Sequence, residues 1–255
     1  SSSYAGVVSR ESVRIALTYA ALNDLDVLAA DIRNAYLQAP TSEKHYIICG
    51  PEFGLEHQGK RALIVRALYG GKTAGRDFWL HLRNCMGGTL GFKSCLADPD
   101  VWMREITRAD GSKVWEYVLL YVDDCLIISD RAEATLLNEI GKFFELKEES
   151  IGPPDIYLGG KVRQIELSNG VKPWAFGSAQ YVKSAVSNVK DYLAKKGRSL
   201  PAKAKTPLSS GYRPEVDISD ELGPEEASYY QSLIGILRWM VELGRVDICC
   251  EVSMM

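Results

Sequence analysis

Two adjacent acids, Asp123 and Asp124, interrupt an otherwise apolar stretch, YVLLYVDDCLIIS, at residues 117–129. The flanking runs, Tyr117 to Val122 and Cys125 to Ser129, are short and rich in Val, Ile, Leu and Tyr. That is the composition of strands covered on both faces, and the pair reads as a hairpin with an acidic turn. Two carboxylates about 4 Å apart repel by roughly 4 kcal/mol at an effective dielectric near 20, so a compensating charge is expected, and a divalent cation would supply it. Asp is also a common turn residue, and an Asp-Asp tip facing water needs no metal. On the hairpin alone both readings stand.

A third carboxylate separates them. In LDVLAADIRNAYL, residues 25–37, a short apolar run ends at Asp31, and Tyr36 follows five positions later. In nucleotidyl transfer, two Mg2+ ions about 3.5–4 Å apart align an attacking 3′-hydroxyl with a leaving pyrophosphate, and carboxylates from separate strands bridge them. Asp31 with Asp123 and Asp124 forms such a set if the two strands are neighbours. An aromatic ring at Tyr36 would then pack beneath the incoming sugar and exclude a 2′-hydroxyl. The plainer alternative for Tyr36 is a half-buried core tyrosine.

Further elements must position these groups. Gly70 and Gly71 allow close approach of backbone to a ligand, and Lys72 and Arg76 can neutralise phosphates or stand as solvated charges at a helix start. From Gly75 to Met86 the residues Phe78, Trp79, Leu82, Cys85 and Met86 recur at helical spacing, with Gly87 and Gly88 as the stop. Asp130 and Glu133 read as a capping box opening a helix through about Phe144. Gly152, Pro153 and Pro154 then break the chain before a new strand pair. Ser178 to Leu193 reads as a Ser-capped amphipathic helix whose core face carries Tyr181, Val182, Ala185, Val186, Val189 and Leu193. Seven Lys or Arg and one acid fall between Tyr181 and Lys205, whereas Glu215 to Glu226 holds six acids and no base. The first is a candidate phosphate track or a solvated face, and the second a solvated loop. In a helix opening near Pro224, Gln231, Gly235 and Trp239 share one face at i, i+4 and i+8. That stripe suits a helix lying along a duplex minor groove; tight packing at Gly235 and a core Trp239 would give the same pattern. Leu233, Ile236, Leu237 and Met240 form the opposite, core-facing stripe.

The order ADIRNAYLQAP, ALYGGKTAGRDFW, YVLLYVDDCLIIS, YLGGKV and YYQSLIGILRWM with GRVDI resembles the reverse transcriptase of copia-type LTR retrotransposons, from about residue 4 to the end. The resemblance implies an α/β (α+β) fold: a palm with an antiparallel sheet backed by helices, then a mostly helical thumb, with incomplete fingers. It places palm and partial fingers at 1–165, and thumb with the start of a connection at 166–255. Implied catalytic and metal-holding residues are Asp31, Asp123 and Asp124, with the Ile32 carbonyl on the second metal. Tyr36, Gly70, Lys72 and Arg76 would contact the dNTP. Tyr121, the YLG primer grip Tyr157, Leu158 and Gly159, and the stripe Gln231, Gly235 and Trp239 would contact primer and template. Thr73, Ala74 and Gly75 depart from the family's Gln-Ala-Pro, exchanging a fixed φ for a free one.

The implied cofactors are two Mg2+ ions, with Mn2+ as a substitute. The implied partners are an RNA template, a primer duplex, dNTP and the RNase H and integrase of a longer Pol polyprotein, in a cytoplasmic virus-like particle with a nuclear phase. Relative to that family an upstream fingers hairpin is expected to be missing, leaving one cleft wall open. A catalytically inert chain that still binds duplex is the alternative; a nucleotide cyclase is disfavoured because no GGDEF-like signature occurs.

Composition is compatible with all of this. The 255 residues are 46% hydrophobic and 25% charged, enough for one or two domains with a sizeable core. No apolar run reaches membrane-spanning length and no leader pattern opens the chain, so neither a span nor a secretory signal is expected. Six cysteines without CxxC and three histidines without HExxH point away from zinc and toward reduced thiols. The net charge of −3 runs mildly against nucleic-acid binding. It does not exclude it, since acid is needed at the metals and base only along the duplex.

Overall fold

Residues 5–157, 159–208 and 211–255 are described by a computed structural model. They fall into two units, one of residues 5–154 with 166–173 and one of 155–165 with 174–255.

In the first unit the chain runs through α1 (Arg10–Asn23), β1 (Asp26–Asp31), α2 (Ala35–Gln38), β2 (Pro40–Ile48), β3 (Arg61–Arg66), α3 (Ala74–Asn84), β4 (Lys93–Ser94), β5 (Val101–Thr107), β6 (Lys113–Tyr121) and β7 (Asp124–Ser129). Five strands form an antiparallel sheet in the order β1-β7-β6-β5-β4, while β2 and β3 make a separate two-stranded ribbon. Cys125 to Ser129 are all buried, which is why their sequence lacks an alternating polar face. The pleat sorts side chains to two sides. One side, with Ala30, Val118, Leu120, Cys125 and Ile127, packs on Phe78 and Leu82 of α3 and on Met86, Leu136, Ile140 and Phe144. On the other, Tyr19 of α1 meets Tyr117 edge-on at 5.2 Å.

The expected helix from Gly75 begins one residue earlier, at Ala74. It passes through Gly87 and Gly88 rather than stopping there, because a π-turn, Cys85–Thr89, continues it. Two other expectations about caps are corrected. Asp130 does not cap the next helical segment, because both its oxygens pair with the Arg108 guanidinium. Ser129 accepts from the Arg131 N–H instead, and the segment winds as a π-helix, Ala134–Glu139, and a 3-10 turn, Ile140–Lys142. After it, residues 145–152 run along the exposed edge of β1. Arg33 N–H donates to Glu145 O at 2.8 Å, Lys147 N–H to Asp31 O at 2.9 Å, and Ala29 and Gly152 exchange bonds of 2.7 and 3.1 Å. This strap satisfies an edge that would otherwise be unpaired.

In the second unit β8 (Ile156–Tyr157), β9 (Gly160–Gln164) and β10 (Trp174–Gly177) form an antiparallel sheet in the order β10-β9-β8. The helices α4 (Ala179–Lys195), α5 (Pro224–Glu242) and α6 (Cys249–Met254) follow. Ser178 precedes α4 but makes no side-chain cap bond; it is buried, and its carbonyl accepts from the Val182 N–H. Leu233, Ile236, Leu237 and Met240 of α5 line an apolar cavity of about 300 Å³ facing α4, as their stripe predicts. The described cysteines are all free thiols.

Candidate active site

β6 and β7 meet at a two-residue turn, Val122-Asp123, so Asp124 opens the strand rather than standing in the turn. Val122 has φ of +56° while Asp123 does not share it, the pattern of a turn that favours glycine at its first position. A β-branched residue there is strained, and such strain persists only where the surroundings impose it.

Register decides which carboxylates meet. Asp31 lies directly opposite Asp124 across β1 and β7, and Tyr121 opposite Asp124 across β6 and β7. Residues opposite each other project to the same face, with Cβ atoms about 4.5–5.5 Å apart. Asp123 joins from the turn, where its carbonyl accepts from the Ile32 N–H at 2.8 Å. Ile32 itself is fully buried.

Two observations show that the cluster is electrostatically unbalanced. Burial first, then the charges of Asp123 and Asp31, push the Asp124 carboxyl up to about 6, with Lys147 opposing them. One oxygen of Asp31, Oδ1, is buried with no hydrogen-bond partner. The other, Oδ2, accepts from Lys147 Nζ at 2.5 Å. A buried carboxylate oxygen without a donor is costly unless a cation or water satisfies it. Hard oxygen donors of this kind suit Mg2+ or Mn2+. The side chains do not form a ready cage: among the described residues no three His, Cys, Asp or Glu groups are disposed to hold an ion. The donor chemistry suits a divalent cation, though the carboxylates would have to close up around it and Lys147 now shares Asp31.

Lys147 and Ser150 were not singled out by sequence. Ser150 Oγ accepts from the Asp31 N–H at 2.9 Å and donates to Lys147 O at 2.7 Å, so the strap grips Asp31 through its backbone as well as its carboxylate. The only sequence signal is weak: Lys147 is a lone base among Glu145, Glu148 and Glu149.

Tyr36 sits in α2, entered through Asn34 at φ +46°. Its ring stacks on Tyr69 at 4.6 Å and lies 6.1 Å from Phe78. Leu68 to Gly71 close a turn in which Gly70 takes φ +87°, a conformation that glycine adopts without strain. Gly75 stands within α3, so the free φ anticipated there is not used for a loosened turn. Lys72 is exposed and Arg76 half-buried. Next to them a cavity of about 370 Å³ is lined by Thr41, His45, Arg66, Tyr69 and Thr73. Asp77 latches its walls together, accepting from the Ser42 N–H at 2.9 Å and from Thr73 Oγ1 at 3.1 Å. Burial would raise the Asp77 carboxyl, but these bonds outweigh it and leave it below the ordinary value.

In the second unit Tyr157 is buried, and Gly159, at φ +77°, turns β8 into β9; Leu158 lies outside the described residues. Trp239 packs over Gly159, whose added Cβ would come within 3.4 Å of the indole nitrogen. Gln231 and Gly235 are exposed, and a Cβ at Gly235 would meet nothing within 4 Å. Tight helix packing is therefore not the reason for glycine at 235.

The chain belongs to the family described as reverse transcriptase (RNA-dependent DNA polymerase), which matches residues 1–192. It is 28% identical over 255 residues to the retrovirus-related Pol polyprotein from transposon TNT 1-94 of Nicotiana tabacum, covering 98% of this chain and 18% of that protein. It is 29% identical over 136 residues to the Pol polyprotein from transposon RE1 of Arabidopsis thaliana, covering 53% and 9%. With the transposon Ty1-DR5 Gag-Pol polyprotein of Saccharomyces cerevisiae it shares 21% over 244 residues, covering 94% and 13%. The chain thus spans less than a fifth of the length of these relatives.

Proposed function

We propose that this chain extends a primer 3′ end on an RNA template by two-metal nucleotidyl transfer, as part of a retrotransposon Pol polyprotein. The observation that carries the reading is the pairing of Asp31 with Asp124 on one sheet face, beside Asp123, with a buried Asp31 oxygen left unpartnered. In this reading residues 1–165 are the palm with part of the fingers, and residues 166–255 the thumb with the start of a connection.

Bound between these carboxylates, two Mg2+ ions would lower the pKa of the primer hydroxyl and take up charge on the leaving pyrophosphate. The residues themselves do the positioning. Asp31 is fixed by the strap and Asp124 by its strand. Tyr36, held by Tyr69 and Phe78, would meet the sugar of the dNTP, with Gly70, Lys72 and Arg76 on the phosphates beside the 370 Å³ cavity. The Ile32 carbonyl would complete the second ion's ligands. On the second unit the β8–β9 turn and the Gln231, Gly235 and Trp239 stripe would lie against primer and template. RNase H, integrase and a cytoplasmic particle with a nuclear phase belong to the same proposal.

Primer extension on poly(rA)/oligo(dT) with dTTP and Mg2+ tests it. Extension by the wild type should fall about a thousandfold or more in Asp123→Ala, the loss expected when several kcal/mol of metal-based stabilisation go. Duplex binding without any extension would instead favour the inert, binding-only alternative. Extension surviving in Asp123→Ala would defeat the metal reading outright.

A further inference from the structure

Of the groups around the carboxylates, Lys147 is the one whose position conflicts with the proposed chemistry. Its ammonium sits on Asp31 Oδ2, on the same carboxylate whose unpartnered Oδ1 would receive the ion. The lysine is nonetheless built in. Its N–H donates to Asp31 O at 2.9 Å, and its own carbonyl accepts from Ser150 N–H at 2.9 Å and Ser150 Oγ at 2.7 Å. The backbone at 147 is thereby tied to the strand that ends in Asp31. The side chain is not: it is 37% exposed, and among the described residues its flexible stem makes one ion pair, to Asp31.

We propose that Lys147 is the resting counter-ion of the catalytic carboxylates, a tethered cation that holds Asp31 Oδ2 and competes with a divalent ion for the same carboxylate. This rests on the two-metal reading above and goes beyond it, because it makes ion loading a competition within the chain. The physical argument has three steps. Three carboxylates, from β1, from β7 and from the β6–β7 turn, repel one another, so the ion-free fold needs a positive charge among them. An ammonium supplies that charge with directed N–H donors, at the expense of one carboxylate oxygen. A doubly charged ion on the same carboxylate and an ammonium in hydrogen-bond contact with it are like charges, so each weakens the hold of the other. Since the strap's backbone bonds do not involve Nζ, the lysine can leave without unfolding the edge of β1. The consequence is that Lys147 weakens ion binding while steadying the ion-free protein, so that its loss and a general loss of structure have opposite effects on affinity.

The test is titration of the 255-residue chain with Mn2+, followed by the EPR signal of the free ion. Wild type, Lys147→Met, Lys147→Gln, Lys147→Arg and Asp124→Asn are compared, with circular dichroism as the check on fold. Lys147→Met and Lys147→Gln should bind Mn2+ about fivefold more tightly than wild type, the gain expected when one partly exposed ion pair no longer competes. Lys147→Arg, which keeps the charge, should not gain, and Asp124→Asn should lose affinity. Without metal, Lys147→Met should melt lower than wild type, and Mn2+ should raise its melting temperature by more. Equal or weaker Mn2+ binding by the folded Met and Gln variants would overturn the competition while leaving the carboxylate site standing. Absence of saturable binding in wild type and both neutral variants would overturn the two-metal reading and this inference with it.

Discussion

Glu116 and Asp124 lie on neighbouring strands of one sheet, β6 and β7, yet their carboxylates are treated in opposite ways. Glu116 is fully buried, and burial alone would raise it. Bonds from Ser129 and Arg104, with the charges of Arg104 and Arg131, outweigh that and hold it below the ordinary carboxylate value. Asp124 is less buried, but the charges of Asp123 and Asp31 outweigh that of Lys147, so burial and repulsion act together and push it up to about 6. The back of the sheet thus carries a completed network: Glu116 pairs with Arg104 at 2.6 Å and Arg131 at 3.2 Å, and Glu139 pairs with both arginines. The front carries an incomplete one, with an orphaned oxygen on Asp31. Groups that serve stability are satisfied inside the fold, whereas a site for a ligand leaves its balance to be completed from outside.

The sharpest way to break this comparison is at the back. Glu116→Ala should cost about 3 kcal/mol in denaturant unfolding, because it leaves Arg104 facing a buried gap and strands the Ser129 and Thr135 hydroxyls. A loss below about 1 kcal/mol would mean that the network is incidental.

At the front the sign reverses. In chelator, Asp124→Asn should stabilise the protein at pH 7 by about 1–2 kcal/mol, a discounted conversion of the upward shift at a partly exposed group. The pH profile follows from the same shift. The folded protein keeps the Asp124 proton to about pH 6, whereas the unfolded chain releases it near 3.8, so metal-free stability should decline as pH rises through that window. Asp124→Asn should flatten the decline. An equal slope in both proteins would show that Asp124 is not the group responsible.

A smaller effect is expected at the turn. Val122→Gly removes a β-branched side chain from a positive φ and should add about 1 kcal/mol of stability. A neutral or negative change would show that the Val122 side chain contributes packing that offsets its backbone strain.

Much of this was legible in the sequence. The apolar runs on either side of Asp123 and Asp124 gave the hairpin, because strand composition and a short turn are local properties. The core stripe of α5 and its start at Pro224 were equally local. Caps were less so: Asp130 is a plausible cap in isolation, but Arg108, 22 residues earlier, takes both its oxygens. Glycines misled for the same reason, since Gly87 and Gly88 continue as a π-turn while Gly75 sits inside a helix.

The sequence by itself determined which carboxylates exist, the family to which they belong, and the strand and hairpin that carry Asp31, Asp123 and Asp124. Tertiary structure alone decided that Asp31 faces Asp124 in register, that residues 145–152 strap the edge of β1, and that Lys147, 116 positions away, rests on Asp31. The physical reason is that composition and periodicity are written within a few residues. Charge balance in a low-dielectric site depends on which distant groups folding brings within a few ångströms of each other.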